Sequence, residues 1–167
     1  VVVYASRFTQ EEKGVLFPKV SGANLEGRKF NLPADFEGEL NLVLVPFLQW
    51  QQMWVNGWLP AAKALMQKHP ELRIYELPTL ANMGAIQRWW IDNGMRLGIP
   101  DKRTREMTIT LYLDKPAFRK SLNMPTENTI YVLLVRRNGE IVWRGEGEFT
   151  ADKGRDLANA VLGQVVL

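Results

Sequence analysis

Between Leu40 and Phe47 the chain reads Leu-Asn-Leu-Val-Leu-Val-Pro-Phe, an apolar run with almost no polar interruption. A short, β-branched run of this kind is a strand buried on both faces, which demands layers of structure above and below it. It leads at once into Gln52–Lys68, where Trp54, Trp58, Ala61, Ala62 and Leu65 fall on one stripe at helical spacing. Pro60 inside this segment predicts a kink, because proline removes one backbone hydrogen bond and crowds the preceding turn. His69-Pro70 ends the helix. A doubly buried strand followed directly by an amphipathic helix is the working unit of an α/β protein.

The remaining chain supplies the layers. Phe17–Phe30 alternates apolar and turn residues and reads as a hairpin. Leu72–Leu77 alternates with period two, a second strand, and Leu80–Leu97 is helical by pattern, with Met83, Ile86, Trp90 and Leu97 on one face. Gly98-Ile-Pro100 stops that helix, and Asp101–Glu106 reads as a charged loop. Met107–Leu113 is a third strand, Lys115–Leu122 a short helix and Thr129–Val135 a fourth strand. Asn138-Gly139 is a type I′ hairpin signal leading into a partner strand at Glu140–Arg144. Thr150 is placed to cap a closing helix built on Leu157, Ala160 and Val161. The expected architecture is one α/β domain, residues 15–167, with a central mixed sheet covered by helices on both faces. Residues 1–14 are expected to form an N-terminal arm.

Composition removes several kinds of chemistry. The chain has no cysteine and one histidine, His69, so thiolate sites and multi-histidine metal sites are absent from this sequence. Its formal charge is only +3, and no block of like charge marks a nucleic-acid surface. Gly145-Glu-Gly147 lacks the third glycine of a phosphate loop and follows a hairpin strand. Asp92, Asp101, Asp114 and Asp152 stand apart, which argues against a carboxylate dyad. Ser6, Ser21 and Ser121 have no nucleophile-elbow context. No run reaches the length of a membrane-spanning helix.

The order of elements resembles the longer form of the thioredoxin-like superfamily, a three-layer α/β/α fold, in the branch of peroxiredoxins and TlpA-type proteins. Gly139-Glu-Ile-Val-Trp-Arg-Gly-Glu-Gly147 is similar to their terminal hairpin. Closer in layout is the Atp-ten family of mitochondrial ATP synthase assembly factors. The shared marks are Phe17-Pro18 with Leu25-Glu-Gly27, a cysteine-free turn with Trp58 and Pro60, and Tyr75-Glu76 closing the second strand. They continue with Ile99-Pro100 followed by Arg103 and Arg105, and with Tyr131-Val-Leu-Leu134, Ile141-Val-Trp143 and Gly145. The chain departs from that family at Val142, where an arginine is usual, and at Arg136-Arg137, where an aspartate is usual. A related bacterial branch therefore stands beside membership as an alternative.

The resemblance implies where a redox site would lie. Its first cysteine falls five residues after Phe47 and eight before Pro60, which is Gln52 by either count, and its second falls at Val55. Glutamine and valine provide no thiolate, so disulfide exchange and peroxide reduction there are excluded. The substrate-clamping proline of that fold is also missing: its place falls near Tyr131, and the bonds at 129–131 are expected to be trans.

What remains is a binding protein without catalytic residues, metal or cofactor. By resemblance it is an assembly factor or chaperone for a membrane complex such as ATP synthase, in a mitochondrion or a bacterial periplasm. The alternatives are a redox-inactive peroxiredoxin- or TlpA-branch protein with an unrelated binding role, and an enzyme using non-thiol chemistry. Two partner-binding candidates stand out. Trp50, Gln51 and Gln52 occupy the turn where this fold meets its clients, with amides able to bond an extended backbone. Trp89 and Trp90 are adjacent, point about 100° apart on a helix and cannot both face one core. With Met95, and with Arg103 and Arg105 as a basic rim, they would form an apolar patch for a protein partner or a peripheral membrane contact.

Overall fold

The computed structural model describes residues 15–165, save the side chains of Ile86 and Trp90. The expected arm at residues 1–14 lies outside these bounds. The chain runs β1 (Val20–Asn24), β2 (Lys29–Leu32), β3 (Leu40–Val45), α1 (Gln52–Lys68), β4 (Leu72–Glu76), β5 (Thr79–Ala81) and α2 (Ala85–Gly98). There follow α3 (Lys102–Met107), β6 (Ile109–Leu113), α4 (Lys115–Ser121), β7 (Tyr131–Arg136), β8 (Ile141–Glu146) and α5 (Ala151–Val165).

Two four-stranded sheets, ordered β4-β3-β7-β8 and β2-β1-β6-β5, share one bent segment of chain. β4 pairs parallel with β3. After Pro78 the chain is handed to β6, with Thr79 opposite Leu111 and Ala81 opposite Leu113. A bridge from Glu76 to Thr108 keeps the same register across the handover. The expected strand Met107–Leu113 thus begins at Ile109 and joins the mixed sheet through β5 and β1, not through β3.

β3 is buried on both faces, as its sequence requires. Leu42 and Leu44 meet Val55, Trp58 and Ala62 of α1 and Leu157 and Val161 of α5. Val43 and Val45 meet Phe17, Phe36, Tyr75 and Phe118 on the other face, Phe118 coming from α4. These layers form the α/β, thioredoxin-like architecture.

Several boundaries move for identifiable reasons. Leu80 is not helical: Thr79–Ala81 has a strand partner waiting in β6, and α2 starts only after Gly84. Asp101–Glu106 is not a loop, because the Asp101 carboxylate accepts a hydrogen bond from the Thr104 amide at 3.2 Å and caps α3. The last hairpin does turn at Asn138-Gly139, but not as the expected type I′ turn: Gly139 has φ +94 while Asn138 does not take positive φ, and the Gly139 amide donates to the Arg136 carbonyl at 2.8 Å, so the loop spans 137–139 with glycine at its left-handed position. Its strands are Tyr131–Arg136 and Ile141–Glu146, shifted slightly from Thr129–Val135 and Glu140–Arg144. Thr150 does cap α5, its hydroxyl accepting from the Lys153 amide. Among the described residues the cis bond is Leu32–Pro33, so 129–131 are trans.

Candidate partner-binding site

The turn after β3 is where the resemblance implied that a redox site would lie. Gln49–Gln51 form a single 3-10 turn, and α1 begins at Gln52, at the expected place. No side chain caps the helix in the usual way. Instead Gln51, fully buried, turns its carbonyl oxygen back to accept from the amides of Phe47 at 2.8 Å and Leu48 at 3.1 Å. Its NH2 donates to the main-chain oxygen of Glu127, in the loop entering β7. The Gln51 amide is therefore consumed internally and offers nothing to a partner's backbone, contrary to the expectation from sequence.

The outer side of the turn is different. Trp50 is 48% exposed and Met53 68% exposed, with Trp54 half-buried between them and Val55 in the core. The Trp50 and Trp54 rings meet edge to face with centroids 4.9 Å apart, which holds Trp50 on the surface by the i, i+4 spacing. Gln52 is exposed, and its NH2 donates to Asn56 Oδ1 at 3.0 Å. From Leu40 to Ala62 the chain has no charged residue, so this face is aromatic, thioether and amide. Met53 lies within the Trp50–Trp54 turn that the sequence marks as a candidate, although it is not singled out there; its place opposite Val55 on the helix signals its exposure.

Beneath the first turn of α1 lies Glu76, buried at the end of β4 on the same face as Leu72 and Ile74. Burial pushes its carboxyl above the usual range, opposed by the Thr108 hydroxyl, the Gln52 amide and, weakly, Lys63. Thr108 Oγ1 lies 3.1 Å from Glu76 Oε2 and 2.7 Å from the Thr104 carbonyl oxygen. A hydroxyl has one proton to donate, and the shorter contact to a carbonyl takes it best when Glu76 carries its own proton. For an acid whose folded pKa is raised, the folded state holds the proton longer as pH rises. Wild-type stability should therefore fall as pH climbs above the unfolded value near 4.5 toward the folded pKa. Glu76→Gln should remove that slope, giving a higher denaturation midpoint than wild type at pH 8 and no advantage at pH 4. A Gln variant less stable than wild type at pH 8 would show that the ionised carboxylate is the native form.

The second candidate patch is only partly as expected. Trp89 is 56% exposed on α2, Met95 is half-buried, and the Trp90 side chain falls outside the description. Arg103 is exposed. Arg105 is not a free rim residue: its Nε donates to Glu26 and its Nη1 to the carbonyl oxygens of Ile99 at 2.8 Å and Pro100 at 2.7 Å. Arg105 holds the Glu26 carboxyl below the usual range, and Arg96 approaches the same group at 3.9 Å. These contacts tie the α2–α3 connection to the β1–β2 turn. Among the described residues no cluster of three metal-ligating side chains gathers, and no helix is long and apolar enough to cross a membrane.

Comparison with known proteins agrees with this architecture. A family model described as ATP10 protein matches residues 3–163. No curated protein matches the sequence. Among solved structures, the thioredoxin domain of a thiol-disulfide oxidoreductase from Bacteroides vulgatus is similar at 20% identity and TM-score 0.57, covering 92% of this chain and 97% of that one. A thiol:disulfide interchange protein from a Bacteroides species is similar at 21% identity and TM-score 0.55, covering 89% and 87%. The exposed lipoprotein thioredoxin of Streptococcus pneumoniae follows at 12% identity and TM-score 0.54, covering 85% and 98%. At such identities the likeness concerns the fold.

Proposed function

The chain belongs to the ATP10 protein family, and from that premise we propose that it is a non-catalytic assembly factor that holds a subunit of ATP synthase on its Trp50–Met53–Trp54 face. The observation that carries this reading is an exposed, uncharged aromatic surface at the first turn of α1, on a chain that has no thiol to react there. Aromatic and thioether side chains give large contact area and adapt to varied apolar partners. The absence of charge favours an uncharged client segment over an acidic or basic one. An enzymatic reading finds less support. Glu76, the buried carboxyl with a raised pKa, lines neither of two surface cavities of about 300 and 250 Å3.

The test is capture of ATP synthase subunits from the native membrane fraction by tagged full-length chain. Wild type should enrich one or more subunits. The double variant Trp50→Ala/Met53→Ser should enrich them at least about tenfold less, while its unfolding free energy changes by no more than about 1 kcal/mol, as for exposed positions. Undiminished capture by the stable variant would move the client site elsewhere. Enrichment of proteins unrelated to ATP synthase would sink the assembly role.

A further inference from the structure

α2 is turned the wrong way round for a surface helix. Its inward side is held by polar contacts: the Tyr112 hydroxyl donates to Asp92 at 2.6 Å, and the Arg88 guanidinium lies over the Tyr112 ring at 4.8 Å. Arg88 also donates to Asn82 Oδ1 at 2.7 Å. Ile91 and Met95 are only half-buried beside these groups, and no described α2 side chain is fully buried. The outward side carries Trp89, 56% exposed, and Leu97, 86% exposed. Leu97, placed by the sequence on one face with Met83, Ile86 and Trp90, faces solvent. Ordinary surface helices put the apolar stripe inward and the charges outward, so this helix presents to its surroundings what a core would normally claim.

Charge decides what fits that side. Asp92 is the acidic residue of α2, and it is spent on Tyr112. Arg96, in the last turn of α2, has a side chain 56% exposed and lies at the edge of this face, with its guanidinium 3.9 Å from Glu26. After Ile99-Pro100 come Asp101, whose carboxylate is taken by Thr104, and then Lys102 and Arg103, both exposed, Lys102 lying 3.9 Å from Glu106. An exposed apolar stripe of tryptophan and leucine flanked by cations is the pattern of a helix lying in a membrane interface. At 14 residues α2 is about 21 Å long, enough to lie along a bilayer surface and too short to cross one.

We propose that the outward face of α2 docks on an anionic lipid bilayer, with Trp89 and Leu97 entering the headgroup boundary and Arg96, Lys102 and Arg103 meeting lipid phosphates. This contact is separate from the client face on α1 and stands whether or not that face binds ATP synthase subunits.

Flotation of the full chain with vesicles tests it. Vesicles of phosphatidylcholine containing about 30% phosphatidylglycerol should carry the protein, pure phosphatidylcholine vesicles much less, and high salt should reduce binding. Trp89→Ala/Leu97→Ser should lower binding at least about tenfold, with a thermal midpoint close to wild type because both side chains are exposed. Arg103→Gln should lower it about fivefold, the effect of one interfacial cation. Trp50→Ala/Met53→Ser should float like wild type, which separates this surface from the client face. Absence of wild-type flotation, equal binding to neutral vesicles, or undiminished binding by the Trp89/Leu97 variant overturns the proposal. So does a dimer in sedimentation that this variant abolishes without any vesicle binding, since a second copy would then cover the face.

Discussion

Trp58→Ala should cost about 3–5 kcal/mol of unfolding free energy, the largest loss expected from a single substitution in α1. Trp58 is fully buried between the sheet and the last helix. Its ring meets Trp143 of β8 at 6.3 Å and Phe149, just before α5, at 5.3 Å, both edge to face. Its indole N–H donates to the Gly147 carbonyl at 2.9 Å, at a residue whose φ of +76 favours glycine. Alanine would leave a large void and orphan that carbonyl, so the two penalties add. For a domain of this size the melting temperature should drop by roughly 10 °C. Trp58→Phe keeps most ring contacts and loses the donor, and should cost about 1–2 kcal/mol. Denaturant titration of the three proteins checks the order. An alanine variant within about 1 kcal/mol of wild type would mean that this aromatic cluster does not join α1 to the sheet.

The features legible in sequence are those with a local cause. β3 was legible because a strand buried on both faces has no choice but to be apolar throughout, and the place of the last turn because Gly139 takes a positive φ that other residues resist, although the turn type differs from the one the Asn-Gly pair suggests. Gln52 was correctly placed at the start of α1, since a strand end and a helix proline bracket it. α2 was harder. Met83 and Leu80 fit a helical stripe by spacing, but a strand slot beside β6 claims Leu80, and only the fold creates that slot. Periodicity also shows that a stripe exists without saying which way it faces; the Tyr112–Asp92 bond decides that for α2, and it joins residues 20 apart. Glu76 shares the strand alternation of Leu72 and Ile74, so its inward direction was implicit in the sequence. Its raised pKa comes from burial, with Thr108 of another element opposing it, and neither is readable from β4 alone. The turn divided in the same way: the exposure of Trp50 and Gln52 was readable from its place after β3, whereas the internal bonding of Gln51 depends on a loop far along the chain.

That loop gives the second large effect. Gln51→Ala should destabilise the protein by roughly 2–4 kcal/mol, although the position resembles a solvent-facing amide in sequence. The side chain satisfies the amides of Phe47 and Leu48, which lie past the end of β3, and its NH2 reaches the Glu127 carbonyl. Alanine removes all three bonds at a site with no exposure, leaving two donors and an acceptor without the partner that matched them. Glu127 itself stays anchored from the other side, its carboxylate 2.6 Å from Lys115 Nζ and 3.7 Å from Arg119 Nε, so the loop has little freedom to close the gap. Gln51→Glu separates the contributions. A carboxylate still accepts from both amides but repels the Glu127 carbonyl, so this variant should lose stability as pH rises through the range where the new acid ionises. Hydrogen exchange at the Phe47 and Leu48 amides should accelerate in the alanine variant far more than exchange in α5. If the variant keeps wild-type stability and slow exchange at those amides, then Gln51 is not what joins the turn to the loop, and the rigid base beneath the Trp50 face has another origin.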